Sequence, residues 1–339
     1  MTVTLHDIRA AATRIAGRID QTAMVRSPSL SALAGIPVQL KLENRQVTGS
    51  FKLRGASNAI AQLDAAVKLK GVVAASTGNH GRALAHAARL EGIRVVICMS
   101  RLVPSNKVDE IRLLGAELRI VGDSQDDAQI EAERLAAEEG LQMVPPFDHP
   151  HVVAGQGTLG LEIIETAPDV ETVLVQLSGG GLAAGVAAAV KGLKPTIRVV
   201  GLSMARGAAM KASLDAKRPV AVEELPTLAD SLGGGIGLDN RVTFSMCHDL
   251  LDEVVLLSEV EIAQGVRHLY AQEREIAEGA GAIAVAALLA GKVSSNGPIV
   301  ALVSGRNIDM ELHRRIVCGE LTEFERMDVA KKGNPGRCH

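Results

Sequence analysis

The chain has 339 residues, room for two domains, and its 47% hydrophobic and 22% charged content is that of a globular protein with a sizeable core. One tyrosine, four phenylalanines and no tryptophan leave the core to Ala, Val, Leu and Ile, and remove the aromatic platforms on which single-stranded nucleic acid stacks. A net charge of −3 gives no electrostatic footprint for nucleic acid or for an anionic membrane.

Residues 5–17 place Leu5, Ile8, Ala12 and Ile15 at helical spacing, which predicts an amphipathic helix. Val38–Leu42 reads as a short strand that leads into Thr48-Gly49-Ser50-Phe51-Lys52-Leu53-Arg54-Gly55-Ala56. Lys52 stands there between two apolar neighbours. Desolvation lowers a lysine pKa, and a free amine forms Schiff bases with carbonyls; a solvated surface charge is the plainer reading of this string taken alone. The segment from Gly55 to about Leu69 reads as helical.

From residue 71 the pattern becomes regular. Strands at 71–76, 94–99, 117–121 and 141–144 alternate with helices at 82–91, 105–114 and 124–139, the signature of a parallel sheet with right-handed crossovers. This block, roughly 70–148, has the size of one small domain, and Pro145-Pro146 with His149-Pro150-His151 marks its end as a loop. The alternation then restarts: a strand at 172–177, a turn at Ser178-Gly179-Gly180-Gly181, an Ala-rich helix at 182–193, a strand at 197–202, helices at 259–275 and 279–289, and a strand at 299–303. The polar residues 330–339 are expected to fray.

Cys98, Cys247, Cys318 and Cys338 stand far apart without a Cys-x-x-Cys pair, against a zinc ribbon or a disulfide scaffold and in keeping with a reducing compartment. The first twenty residues carry six charged or His side chains and no apolar core, and the apolar run 282–290 is too short for a bilayer. A cytoplasmic location is expected.

Ligands of open parallel sheets sit at the carboxyl ends of strands, and three turns lie there. Ser178-Gly179-Gly180-Gly181-Leu182 opens a helix whose first N–H groups lack partners, a place for a phosphate or simply a flexible turn. Gly179-x-Gly181 resembles a dinucleotide fingerprint, but the next strand ends at Leu202-Ser203 rather than on an acid, and no nucleotide P-loop string occurs. Ser76-Thr77-Gly78-Asn79-His80-Gly81 also opens a helix and suits a carboxylate or phenolic oxygen, or an N-cap. Ser304-Gly305-Arg306-Asn307 follows the last strand, where Ser304 meets a ring nitrogen or caps a turn. The nine histidines show no metal spacing.

Taken together, Ser50 to Ala56, Thr77 to Gly81, Ser178 to Leu182 and Ser304 to Asn307, in this order and spacing, resemble the pyridoxal-phosphate enzymes of fold type II, the tryptophan synthase β-subunit family, and within it the threonine and serine dehydratases and serine racemase. The resemblance implies an α/β fold of two open, mostly parallel sheets flanked by helices, with the cofactor in the cleft between domains. It implies a discontinuous large cofactor-binding domain (1–66 and 150–325), a small domain (70–148) and a tail (326–339).

The same resemblance implies that Lys52 holds pyridoxal 5'-phosphate as a Schiff base, with Phe51 beside it. Asn79 would bond the ring hydroxyl, the N–H groups of Gly179, Gly180, Gly181 and Leu182 the phosphate, and Ser304 the pyridine nitrogen. Ser76, Thr77 and His80 lie where the family binds the substrate carboxylate, and Glu278-Gly279-Ala280-Gly281 matches a Glu-Pro-Ala-Gly segment near the ring.

The implied reaction is loss of water from a hydroxy-amino acid, giving a keto acid and ammonia. Racemisation or β-replacement on the same scaffold is the alternative, and a non-catalytic binding protein is the reading from another class. Thr77 stands where serine racemases place a serine acid/base. Ser203 and Ala209 stand where they hold a divalent metal, so no metal is expected. Arg306 replaces a usual glycine; with Arg45 it points to a substrate with an extra acidic group, or it ion-pairs internally. The Ser-Thr-Gly-Asn-His-Gly-Arg string also resembles the dehydratases of hydroxyectoine utilisation. Family members are commonly dimers or tetramers, so a homo-oligomer is expected.

Overall fold

A computed structural model describes residues 2–76, 78–103 and 105–320, with the backbone alone at 105–107 and 125. Among the described residues ten strands form: β1 Met24–Arg26, β2 Val38–Leu42, β3 Val72–Ala75, β4 Val95–Met99, β5 Glu117–Ile120, β6 Gln142–Met143, β7 Thr172–Gln176, β8 Arg198–Met204, β9 Glu253–Leu257 and β10 Ile299–Val303. They make two separate sheets, in the orders β1-β2-β10-β7-β8-β9 and β5-β4-β3-β6. Every pairing is parallel except β1 with β2.

The central strands of each sheet are buried on both faces, because they are apolar at odd and even positions alike. In β7, Val173 and Val175 point into one apolar layer with Val153, Leu159 and Val186. Leu174, one residue out of phase, points into the opposite layer with Leu40, Val266 and Ile283. The four-stranded sheet repeats this: Val72 and Ala74 face one cluster and Val73 the other. Fully burying one such Val or Leu contributes about 1.5–3 kcal/mol, and alternation divides that gain between both helical layers.

Several elements differ from the periodicity reading. The helix expected over 55–69 is two helices, Lys52–Ala61 and Ala65–Lys70. Tight backbone bonds from Gln62 and Leu63 to Ala59 and Ile60 close the first, and Asp64, in extended backbone, starts the second. The loop expected at 149–151 begins a 17-residue helix, Pro150–Thr166, with His149 as N-cap and Pro150 in the first turn, where its missing N–H costs nothing. The helix expected over 259–275 stops at His268 and passes into a wider turn over Leu269–Glu273, ended by Arg274 in left-handed backbone at φ 61°. No helix among the described residues is long and apolar enough to cross a membrane.

The topology places the carboxyl ends of β3, β7 and β10 around one cleft. From β3 the chain enters helix Asn79–Leu90, from β7 helix Gly181–Leu193, and from β10 the segment 304–309. Helix Lys52–Ala61, which carries the lysine in its first turn, packs on both Pro150–Thr166 and Asn79–Leu90. It touches both sheets' layers and sets the lysine between them.

Candidate active site

Arg54 anchors the lysine helix from beneath. It is fully buried, binds both carboxylate oxygens of Glu43 at 2.8 Å and reaches Glu162 at 2.6 Å. Glu162 also takes the ammonium of Lys41 at 2.5 Å. Desolvation raises the Glu43 pKa, but the guanidinium beside it outweighs that and holds it below the carboxylate range. Two cations against two carboxylates leave this buried cluster neutral and hydrogen-bonded, the condition under which buried charge is tolerated.

Two residues earlier, on the other side of the helix, Lys52 faces a cleft of about 460 Å³ lined by Phe51, Lys52, Asn79, Phe147, Gln176, Ser178 to Leu182, Ser231, Leu232, Glu278, Ala280 and Ser304. A wider groove, about 880 Å³, lies at the amino ends of β7, β8 and β10 around Glu171, Arg198 and Asn296; it holds none of the residues singled out from the sequence. The residues singled out from the sequence meet in the smaller cleft.

Of the residues expected at a site, Lys52, Phe51, Asn79, Gly179, Gly180, Gly181, Leu182 and Ser304 all line this one cleft. Ser76 and His80 do not. Ser76 Oγ accepts from the N–H of Gly81 at 3.2 Å. The His80 ring meets the carbonyl of Val144 at 2.7 Å, and burial, with the Lys52 charge nearby, lowers its pKa to about 4. His80 is therefore a neutral ring with Nε2–H donating to that carbonyl. Thr77 lies outside the described residues. Ser203 is buried in β8 and Ala209 opens a helix. Among the described residues no cluster of His, Cys, Asp or Glu is arranged to hold a metal.

The glycine turn has the shape its sequence implied. Gly180 sits at φ 90°, in left-handed backbone, and turns the chain into helix Gly181–Leu193. A Cβ on Gly179 would lie 2.4 Å from the Phe147 ring, so the ring and any side chain there exclude each other. The first-turn N–H groups of a helix have no intrahelical acceptor and carry the positive end of its dipole.

The segment 144–148 crosses the cleft like a strap. Val144 O takes the His80 ring, and Pro146 O accepts from Lys52 Nζ at 2.8 Å. Phe147 lies on the glycine turn, and Asp148 accepts from the backbone N–H groups of Arg241, Val242 and Thr243 at 2.8–2.9 Å.

Two titratable groups face each other across the cleft. Burial pushes the Lys52 ammonium down to about 8, against the pull of Glu278. Burial, then the charge of Asp230, pushes Glu278 up to about 7, against hydrogen bonds from Asn79, Ser231 and the N–H of Asn307. Its Oε1 accepts from Asn79 Nδ2 at 2.8 Å, while its buried Oε2 has no partner. Both groups exchange protons near neutrality, where general acid–base chemistry is most efficient.

Four participants carried little or no signal of their own. Glu278 was legible only through its motif. Asn307 closed a motif without a role, and Phe147 and Asp148 lay in what read as a loop. The arginines resolve differently. Arg45 ion-pairs with Glu275. Arg306 is exposed and lines a separate groove with Arg82, Ile276 and Met310.

The family model for pyridoxal-phosphate dependent enzymes matches residues 15–305. A Sinorhizobium fredii protein provisionally named a threonine dehydratase is 61% identical, over 95% of this chain and 98% of its own. The L-threonine ammonia-lyase of Thermotoga maritima is 43% identical over 93% of this chain and 78% of its own. Among solved structures, maize serine racemase superposes with TM-score 0.86 at 32% identity, over 94% of this chain and 99% of its own. The processed form of threonine deaminase isoform 2 from Solanum lycopersicum gives 0.85 at 33% identity, over 92% and 86%.

The cleft suits this cofactor on its own features. It offers a helix N-terminus behind a glycine turn for a phosphate, a desolvated lysine for a carbonyl, and an unpartnered buried carboxylate oxygen in its lining.

Proposed function

The chain belongs to the pyridoxal-phosphate-dependent enzyme family, and on that premise we propose that it is an ammonia-lyase acting on a β-hydroxy-α-amino acid of about the size of threonine. The observation that carries this reading is the convergence of Lys52, Asn79, the glycine turn and Ser304 on one cleft, in a chain whose relatives include named L-threonine ammonia-lyases. When bound, pyridoxal phosphate supplies an electron-accepting ring that weakens the bonds at the substrate's α-carbon.

This chain's residues hold it and move protons. Lys52, with its pKa lowered to about 8, keeps a larger fraction of free amine than a solvated lysine, as a nucleophile for a carbonyl and then as the base for the α-proton. The N–H groups from Gly179 to Leu182 would bind phosphate oxygens, and the Asn79 amide would donate to the ring oxygen. The Ser304 hydroxyl, neutral at all working pH, would meet the ring nitrogen. An uncharged partner there does not keep that nitrogen protonated, which favours prompt loss of a β-substituent over transamination. Pro146 O holds the lysine amine whenever it is free. Helix Asn79–Leu90 opens at this cleft, and its N-terminal backbone would suit the substrate carboxylate.

The net reaction removes the α-proton and the β-hydroxyl as water and leaves an enamine. Hydrolysis of its imine form returns the water and gives a 2-oxo acid and ammonium. Two domains are part of the proposal, 1–66 with 150–325 around the larger sheet and 70–148 around the smaller. So are a reducing cytoplasmic setting and a homo-oligomer, which sedimentation of the purified protein tests.

The test is product analysis over L-threonine, L-serine, the hydroxyaspartates and hydroxylated diaminobutyrate derivatives. A 2-oxo acid with one equivalent of ammonium from any of them supports elimination, and the substrate turned over identifies the specificity. An inverted or β-substituted amino acid with no 2-oxo acid overturns it in favour of racemisation or replacement.

A further inference from the structure

Asn307 lies behind the cleft, in the neighbouring groove lined by Arg82 and Arg306, in a place that none of the expected roles covers. Its Nδ2 donates to Thr48 O at 3.0 Å and to Asn79 Oδ1, while its Oδ1 accepts from the Arg82 guanidinium at 3.4 Å. Its backbone N–H helps to hold the Glu278 pKa down. Gly49, at φ 78°, makes room for the amide: a Cβ there would lie 2.4 Å from Asn307 Oδ1.

A carboxamide has one donor end and one acceptor end, and here both are fixed by groups that cannot change roles. A main-chain carbonyl only accepts, and a guanidinium only donates. Turning the Asn307 amide over would set its oxygen against Thr48 O and its NH₂ against Arg82. With Asn307 so fixed, the Asn79 oxygen is committed to it, and the Asn79 NH₂ must face Glu278 Oε1, Ser231 Oγ and the cleft.

We propose that Asn307 is a positioning residue that sets the polarity of the Asn79 amide, so that the cleft presents a hydrogen-bond donor, and not an acceptor, to the oxygen bound there. The inference rests on the proposed function, in which that oxygen belongs to the cofactor ring. An oxygen met by a donor is favoured as the anion. Arg82 reaches Asn307 from helix Asn79–Leu90, so Asn307 holds the first turn of that helix through two side chains.

The experiment is a double-mutant cycle read by pyridoxal phosphate affinity of the apoprotein, from equilibrium titration, and by the pH dependence of the bound cofactor's visible absorption. Asn307→Asp, nearly isosteric, can only accept from residue 79. It turns the Asn79 amide over and puts an oxygen toward the cleft, and affinity is expected to fall roughly 10- to 100-fold. The absorption titration should move to higher pH. Asn307→Ala, which frees the amide without reversing it, should lose less, about 3- to 10-fold.

In an Asn79→Ala background both changes at 307 should have little further effect, because their route is gone. Melting of each apo variant separates loss of fold from loss of binding, and the two substitutions carry the test independently. Binding by Asn307→Asp within twofold of the parent, or losses undiminished in the Asn79→Ala background, overturns the role of Asn307 and leaves the proposed function standing. A parent protein that binds no pyridoxal phosphate removes both together.

Discussion

At the scale of single residues the cleft is governed by burial acting on two groups of opposite charge. Lys52 is brought down toward 8 and Glu278 up toward 7 by the same loss of water. The Glu278 shift has a stability consequence with a definite sign. Its folded pKa lies above that of a free glutamate, so folding holds the proton more tightly than the unfolded chain does. The contribution is full below about 4.5 and is lost as pH rises through about 7. Glu278→Gln keeps an acceptor for Asn79 and cannot ionise. The apoprotein variant should therefore gain on the parent between pH 5 and pH 8, by up to about 3 kcal/mol. Parallel melting curves across that range check it, and a constant offset contradicts it. The residue scale is also where the sequence was most legible. A lysine between Phe51 and Leu53, three consecutive glycines after a strand, and an asparagine at a helix start are local patterns. The Pro146 carbonyl and the Asp148 cap are meetings between residues some 94 positions apart, as Lys52 and Pro146 are, and leave no local trace.

At the scale of elements, strands β7 and β10 and the Ala-rich runs at 182–193 and 279–289 were readable because burial on both faces writes continuous apolar stretches. Helix Pro150–Thr166 was not. Its prolyl start and its glycines at 155, 157 and 160 are the residues that ordinarily mark loops. Gly155 lets it pack on the lysine helix, where a Cβ would lie 2.5 Å from Arg54 O, and Gly157 and Gly160 let it pack closely on helix Gly181–Leu193, where a Cβ on Gly185 would lie 2.4 Å from Val153 O. Gly185→Val should thus cost about 3 kcal/mol or more, since backbone cannot yield as a flexible side chain does. Chemical denaturation measures it, and a change below 1 kcal/mol would show that these helices are not locked. Arg54→Met tests the buried ion cluster in the same way. It leaves Glu43 charged, wholly buried and short of its strongest partner, an expected loss of about 3–5 kcal/mol. Rescue by adding Glu43→Gln is expected to be partial, because Lys41 and Glu162 keep their pairing.

At the scale of the whole molecule, the site exists because two sheets present their carboxyl ends to one cleft and a strap ties them. Asp148 fixes the end of that strap to three N–H groups, and Phe147 and Pro146 follow from it. Asp148→Ala should lower stability by about 1–2 kcal/mol and weaken cofactor binding in the apoprotein without touching the lysine. Unchanged binding would make the strap a passive connection. The alternation of strands and helices announced two parallel layers, but not which strand ends face each other, since that is set by packing between distant segments. The central claim is that Lys52 carries the cofactor, and borohydride reduction of the purified holoprotein followed by peptide mass mapping tests it most directly. The account predicts one pyridoxyl adduct, on the peptide containing Lys52, absent from Lys52→Ala. An adduct on another lysine, or a cofactor removed intact by dialysis after reduction, would contradict it.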